Sequence, residues 1–177
     1  MEKKYYFSYT EEKMCNSKRR IISLILFVTL IVGMSFTAHA STDNVPPRLG
    51  EVVDGSVLTN DNTSEDIKYN PSRGNILNRG VASLSNNGDG TVNVYGAVLG
   101  SVVCDKLVLE ITLQRLEGST WVTVKNYSAT AYSQTFLTKS YNPSVSEGYY
   151  YRIKAACVAT KGSTSEYQMP ITDGLWI

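Results

Sequence analysis

The chain of 177 residues has one histidine, His39, and three cysteines, Cys15, Cys104 and Cys157. Hydrolytic triads and most zinc or haem sites draw a base, nucleophile or ligand from these two residue types. His39 lies in Ala38-His39-Ala40, after the charged Lys18-Arg19-Arg20 and an uncharged apolar run over 21–34. A charged segment, an apolar run and two small residues around a variable one form an export signal with its cleavage site. Cleavage after Ala40 removes His39 and Cys15 and leaves Cys104 and Cys157. An even count in an exported chain predicts a disulfide between these two, the rival reading being two buried free thiols. Without imidazole or free thiol, zinc, haem and serine–histidine catalysis drop out. No metal or other cofactor is expected, and carboxylate chemistry is what remains.

A glycosidase needs two carboxyls about 5 to 10 Å apart in a cleft. Glu110, pointing away from an apolar strand face, is the one acid in an unusual setting, and its plain reading is a solvated side chain. Asp89, in Asn87-Gly88-Asp89-Gly90, lacks the spacing of a calcium loop, so a tight hairpin turn explains it better. Aromatic residues are the other candidates. Tyr95, Trp121, Tyr127 and Tyr150 are expected on outward strand faces, where rings stack on sugars or anchor a protein partner. Strand propensity alone also accounts for tyrosines in such positions.

From residue 41 onward the chain carries 11 Lys and Arg against 13 Asp and Glu, a net charge of −2. No basic cluster stands ready to neutralise phosphates, so neither nucleic acid nor an anionic membrane surface is an expected partner. The stretch 21–42 is uncharged and long enough to span a bilayer, which makes an uncleaved anchor the rival to a cleaved signal. The small-residue site favours cleavage and a secreted, extracellular protein.

The elements that must position these side chains read as strands. Residues 41–79 are rich in Asp, Asn, Ser and Gly and lack a sustained period, which predicts a flexible leader or linker with at most one edge strand, at Val52-Val53 or Val57-Leu58. From 80 to 177, short apolar runs alternate with turn residues, the pattern of one all-β domain built as an antiparallel sandwich. Val92, Val94, Gly96 and Val98 share a face. Leu107, Leu109, Ile111 and Leu113 alternate with Val108, Glu110, Thr112 and Gln114. Further strands are expected over 121–127 and 131–138. In the last strong strand Tyr149, Tyr151, Ile153, Ala155 and Cys157 point inward, and Tyr150, Arg152 and Lys154 outward. Both sulfurs then face the core, and the predicted bridge places their strands on facing sheets.

Tyr149-Tyr150-Tyr151-Arg152-Ile153-Lys154-Ala155, followed by Lys161-Gly162-Ser163-Thr164-Ser165, resembles the penultimate strand and next loop of fibronectin type III and immunoglobulin-like sandwiches. That likeness implies Tyr149 as a corner tyrosine. A longer pattern is similar to an uncharacterised family of small secreted proteins of Gram-positive bacteria. It comprises Asn78-Arg79-Gly80, Asn87-Gly88-Asp89-Gly90-Thr91, Cys104-Asp105-Lys106, Leu113-Gln114-Arg115, Trp121-Val122 and Gly148-Tyr149-Tyr150-Tyr151-Arg152. It implies a secreted β-domain and brings no activity.

Three functions follow as expectations. The first is a secreted, non-catalytic domain that binds a glycan or protein at the cell surface or serves there as a structural component. The second is a toxin or bacteriocin-like effector whose residues 41–79 are a removable leader. The third, a carboxylate hydrolase, requires a second acid beside Glu110.

Overall fold

The computed structural model describes residues 46–70 and 76–177. The expected export signal, with Cys15 and His39, lies outside the described residues. These hold nine strands and no helix: β1 (Val52–Val53), β2 (Ser56–Thr59), β3 (Thr63–Tyr69), β4 (Leu77–Asn86), β5 (Val92–Glu117), β6 (Thr120–Tyr141), β7 (Tyr150–Lys161), β8 (Thr164–Gln168) and β9 (Gly174–Trp176). The described residues are all-β, as their period-two texture requires.

Two long strands make the frame. The alternating runs at 92–98 and 107–113 are one strand, β5, of 26 residues, and the two pieces around Trp121 and Ala131 are one strand, β6, of 22. They pair antiparallel, with the register broken between Leu99 and Cys104. Close to that break Ser133 takes a φ of 51°. A bulge bends a strand and increases its twist, and here the hairpin folds over on itself. On the edge away from β6, residues 92–100 of β5 pair with β4 and residues 106–115 pair with β7. The fold-over brings Gly96 against the second half of its own strand. A Cβ on Gly96 would lie 2.8 Å from Ile111 Cδ1, so glycine is what lets the two halves close at this point.

Between the halves lies the main core, with Leu84, Val94 and Val98 on one side and Leu109, Ile111 and Ile153 on the other. Leu109, Ile111 and Ile153 are each at most 1% exposed, in agreement with their alternation. The free edge of β7 carries β9 at its start and β8 at its end, and β2 joins β9 in parallel. The strands therefore form a single mixed, curled sheet in the order β1-β2-β9-β7-β5-β4-β3. This corrects the wholly antiparallel sandwich expected from the sequence. Polar side chains tie the ends of the curl: Ser64 Oγ accepts from Asp173 N (2.9 Å), Asp66 Oδ2 from Ile171 N (2.8 Å) and Glu166 Oε2 from Leu77 N (2.8 Å).

The leader reading of 41–79 also gives way. Its described residues carry β1, β2, β3 and the start of β4. Asp54 and Gly55 form a two-residue hairpin turn with φ of 48° and 80°, bringing Val53 opposite Ser56. β3 has one aliphatic residue, Ile67, and is held by a seven-residue backbone ladder with β4 instead of by a hydrophobic period. A leader cut away at residue 79 would take three strands with it.

Cys104 and Cys157 are both buried and both free thiols. Each faces inward as the alternation predicts, but β5 and β7 are neighbours in one sheet and not facing layers. Cys157 pairs with Leu109, five residues along β5 from Cys104. At about 3.3 Å per residue that is roughly 16 Å, well beyond the 7 Å Cα separation that a disulfide tolerates. The Cys157 thiol donates to Ala97 O at 3.4 Å, and the Cys104 thiol to Val102 O at 3.4 Å.

At the start of β7 the alternation misleads for a different reason. Arg152, expected outward, is 1% exposed, because the β1–β2 hairpin and Trp121 cover that side of the strand. Its guanidinium donates to Gln114 Oε1 (3.0 Å), Asp54 O (2.9 Å), Ser56 Oγ (3.0 Å) and Asp54 Oδ2 (2.5 Å), and lies 4.4 Å from the centroid of the Trp121 ring. Those bonds satisfy a charge that burial would otherwise destabilise. Tyr149 is exposed and does not make the corner bond. Tyr151, buried, donates its hydroxyl to Ser146 O at 2.8 Å.

Candidate functional site

The four aromatic residues singled out in the sequence do not share one surface. Tyr127 packs against the main core, stacked on Tyr141 with centroids 4.0 Å apart. Tyr95 lies on the outer face of the first half of the curl, beside a shallow groove. Trp121 and Tyr150 meet in a second apolar cluster with Val53, Leu58, Leu116 and Trp176. Trp121 Nε1 donates to Val53 O at 3.1 Å, and Tyr150 meets Trp176 edge to face at 4.9 Å. Both residues thus work largely as packing.

A cleft of about 540 Å³ opens beside that second cluster, within the range of sites that hold small ligands. Four separate pieces of chain build it: Pro47 and Arg48 ahead of β1, the β5–β6 turn from Arg115 to Gly118, Gly148 to Tyr150 at the start of β7, and Trp176 of β9. Its rim alternates cations with rings. The Arg115 guanidinium lies 4.5 Å from the Tyr149 centroid and hydrogen-bonds Glu117. Arg48 donates to both carboxylate oxygens of Glu51 at 2.6 Å and to Gly118 O. That pairing holds Glu51 below the usual carboxylate range and raises the guanidinium of Arg48. Arg48 adopts a φ of 65°, a left-handed conformation that costs a non-glycine residue about 1 kcal/mol or more and that its contacts must offset.

On the floor lies Tyr150, 3% exposed, whose hydroxyl is buried with no hydrogen-bond partner. Burial pushes this phenol up, against the opposing charge of Arg48, so it stays protonated and able to donate. The arrangement offers aromatic faces, paired donors and acceptors from two Arg–Glu couples, and one unspent hydroxyl. Sequence reading reaches Tyr150 but misses Arg48, Arg115 and Trp176. Arg48 and Trp176 sit in short segments without a period, and Arg115 falls where β5 runs out into its turn.

The two carboxylates weighed as candidates have plain environments. Glu110 is exposed and lines a depression with Thr112, Asn126 and Ser128, and it is the only acid among the residues of that lining. Asp89 accepts from Thr91 Oγ1 (2.5 Å) and Thr91 N (3.0 Å), bonds that hold its carboxyl below the usual range and close the turn expected there. No group of three or more His, Cys, Asp or Glu able to hold a metal occurs among the described residues. Compared with known proteins, the chain matches no family model and no curated sequence.

Proposed function

We propose that this is a secreted, non-catalytic β-domain that binds a cell-surface saccharide in the cleft between Arg48, Arg115, Tyr149 and Trp176. The observation that carries the reading is the buried Tyr150 hydroxyl without a partner, at the floor of a cleft rimmed by rings and Arg–Glu couples. A pyranose has an apolar face for stacking and vicinal hydroxyls that both donate and accept, which suits that mixture. Supporting export is the charged, apolar and Ala38-His39-Ala40 sequence at the start of the chain, together with the likeness to small secreted proteins of Gram-positive bacteria. Supporting a non-catalytic role are the burial of both thiols and the solitary position of Glu110. On the fold, we read the two halves of the curl as the layers of an immunoglobulin-like sandwich, with β5 and β6 running through both.

A glycan array and a pull-down on cell-wall polysaccharide test the proposal. We expect binding that falls at least tenfold in Tyr149→Ala and Trp176→Ala and is unchanged in Val124→Ala, which lies outside the cleft. Blank results from both the array and the pull-down would overturn it.

A further inference from the structure

The middle of the outer face of the first half of the curl is largely apolar where a sheet exposed to water would be polar. Its middle row, read across β3, β4, β5 and β6, is Ile67, Val81, Ala97 and Thr138. Val81 and Ala97 are 7% and 1% exposed although they point away from the core. On one side of this row stand Arg79 and the exposed Phe136; on the other stand Glu65 and Tyr95. Arg79 Nε is buried with no hydrogen-bond partner, and neither Arg79 nor Glu65 forms an ion pair among the described residues. An arginine nitrogen left unpaired under apolar cover is costly, and a carboxylate brought to it would relieve that cost.

We propose that a second copy of the chain covers this face, the two sheets packing face to face about a two-fold axis along the middle row. The observation is independent of the cleft. Under that axis the middle row lies on its own counterpart, and each flanking row lies over the opposite one of the other copy. Arg79 on β4 then lies over the second copy's Ser83, whose neighbour on β3 is Glu65, one strand spacing of about 4.8 Å away. The same contact forms twice, as an isologous interface requires. A mostly aliphatic row meets its own counterpart, with Tyr, Phe and Arg around it, the composition of protein–protein contacts. A saccharide would find almost no hydrogen-bonding group on the middle row.

Analytical ultracentrifugation of the exported chain across a concentration series up to about 100 µM tests this. A dimer is expected. Glu65→Arg and Arg79→Glu should each weaken it at least tenfold, and the double swap should recover most of the loss, because the pair is restored with its signs exchanged. Phe136→Ser, at an exposed position, should weaken it without lowering the melting temperature at concentrations where both proteins are monomeric, which keeps the test open if Arg79→Glu folds poorly. A wild-type monomer throughout the series overturns the proposal. So does a dimer that survives Glu65→Arg and Phe136→Ser, since another surface then makes it, and so does a double swap no better than its single variants.

Discussion

The two outer faces of the curl are built on the same pair of strands and differ in chemistry. In the second half, β5 presents Glu110 and Thr112 beside Ser128 and Asn126 of β6 and Ala156 and Lys154 of β7. In the first half the corresponding positions are Ala97 and Leu99, beside Val81 and Arg79 of β4 and Thr138 and Phe136 of β6. One face meets water, and its strand alternates strictly from Leu109 to Gln114; under the middle of the other, Ala97-Val98-Leu99 is unbroken. The start of β7 shows what such a break in alternation means when the cover belongs to the same chain. Tyr150-Tyr151-Arg152-Ile153 is buried on both sides because the β1–β2 hairpin and Trp121 lie over it. There the loss of alternation marks a face that the chain itself covers.

Variants can break or sharpen this contrast. The largest effect is expected inside the curl. Ile111→Ala should destabilise by about 2 to 5 kcal/mol, and Arg152→Ala by a comparable amount, about 3 kcal/mol or more, since four hydrogen bonds and a ring contact go with the side chain. Chemical denaturation measures both. If Arg152→Ala cost no more than an exposed lysine variant, the hairpin would not be the cover of β7. A middle effect separates two neighbours on β5. Gln114, whose Oε1 accepts from the buried Arg152 Nε, should cost about 1 to 2 kcal/mol as Gln114→Ala. Thr112→Ala, on the open polar face, should cost under about 0.5 kcal/mol. Equal values would mean that the covered and open stretches of β5 do not differ.

A smaller effect appears in acid. The hydrogen bond from Arg152, and then its charge, hold the Asp54 carboxyl below its usual value. The native state therefore binds fewer protons at this group than the unfolded chain. Its contribution is fully present above the unfolded pKa and is lost as pH falls through the lower native value. The melting-temperature gap between wild type and Asp54→Asn should thus be constant at neutral pH and close below the ordinary aspartate range. Asp54 is exposed, so the gap is small and salt-sensitive. A gap that widened in acid would mean that Asp54 gains nothing from Arg152.

Much of the core was legible because its signal is periodic. Leu109, Ile111 and Ile153 lie where alternation puts them. The parts that escaped have short-range or non-local causes. The Asp54-Gly55 pair between Val52-Val53 and Val57-Leu58 is a hairpin signal present in the sequence, but polar surroundings mask it. β9, three residues long, cannot show a period at all, and it supplies Trp176 to the cleft. Tyr150 was singled out and does line the cleft, although as its buried floor and not as an exposed ring. Nothing local says that β5 bends near Ser101 and serves two different neighbours on one edge, and this decided the cysteines.

The smallest expected effect is no effect, and it bears on how the halves are joined. A bridge between Cys104 and Cys157 would staple the bend of β5 to β7 and make the curl depend on oxidation. The register instead separates them by five residues along β5, and each thiol has its own carbonyl acceptor. Burial pushes the Cys157 thiol up to about 12, and the Cys104 thiol upward as well, so neither is a ready thiolate at neutral pH. A thiol reagent should therefore find Cys104 and Cys157 unreactive in the folded protein, and should count both after denaturation without reductant. Dithiothreitol should leave the melting temperature unchanged, whereas loss of a native disulfide in a domain of this size typically costs about 2 to 5 kcal/mol. A denatured, unreduced chain with neither of these thiols free would show a bridge. Cys104 and Cys157 would then have to come within disulfide reach, and the β5–β7 register that sets the two halves of the curl apart would be wrong.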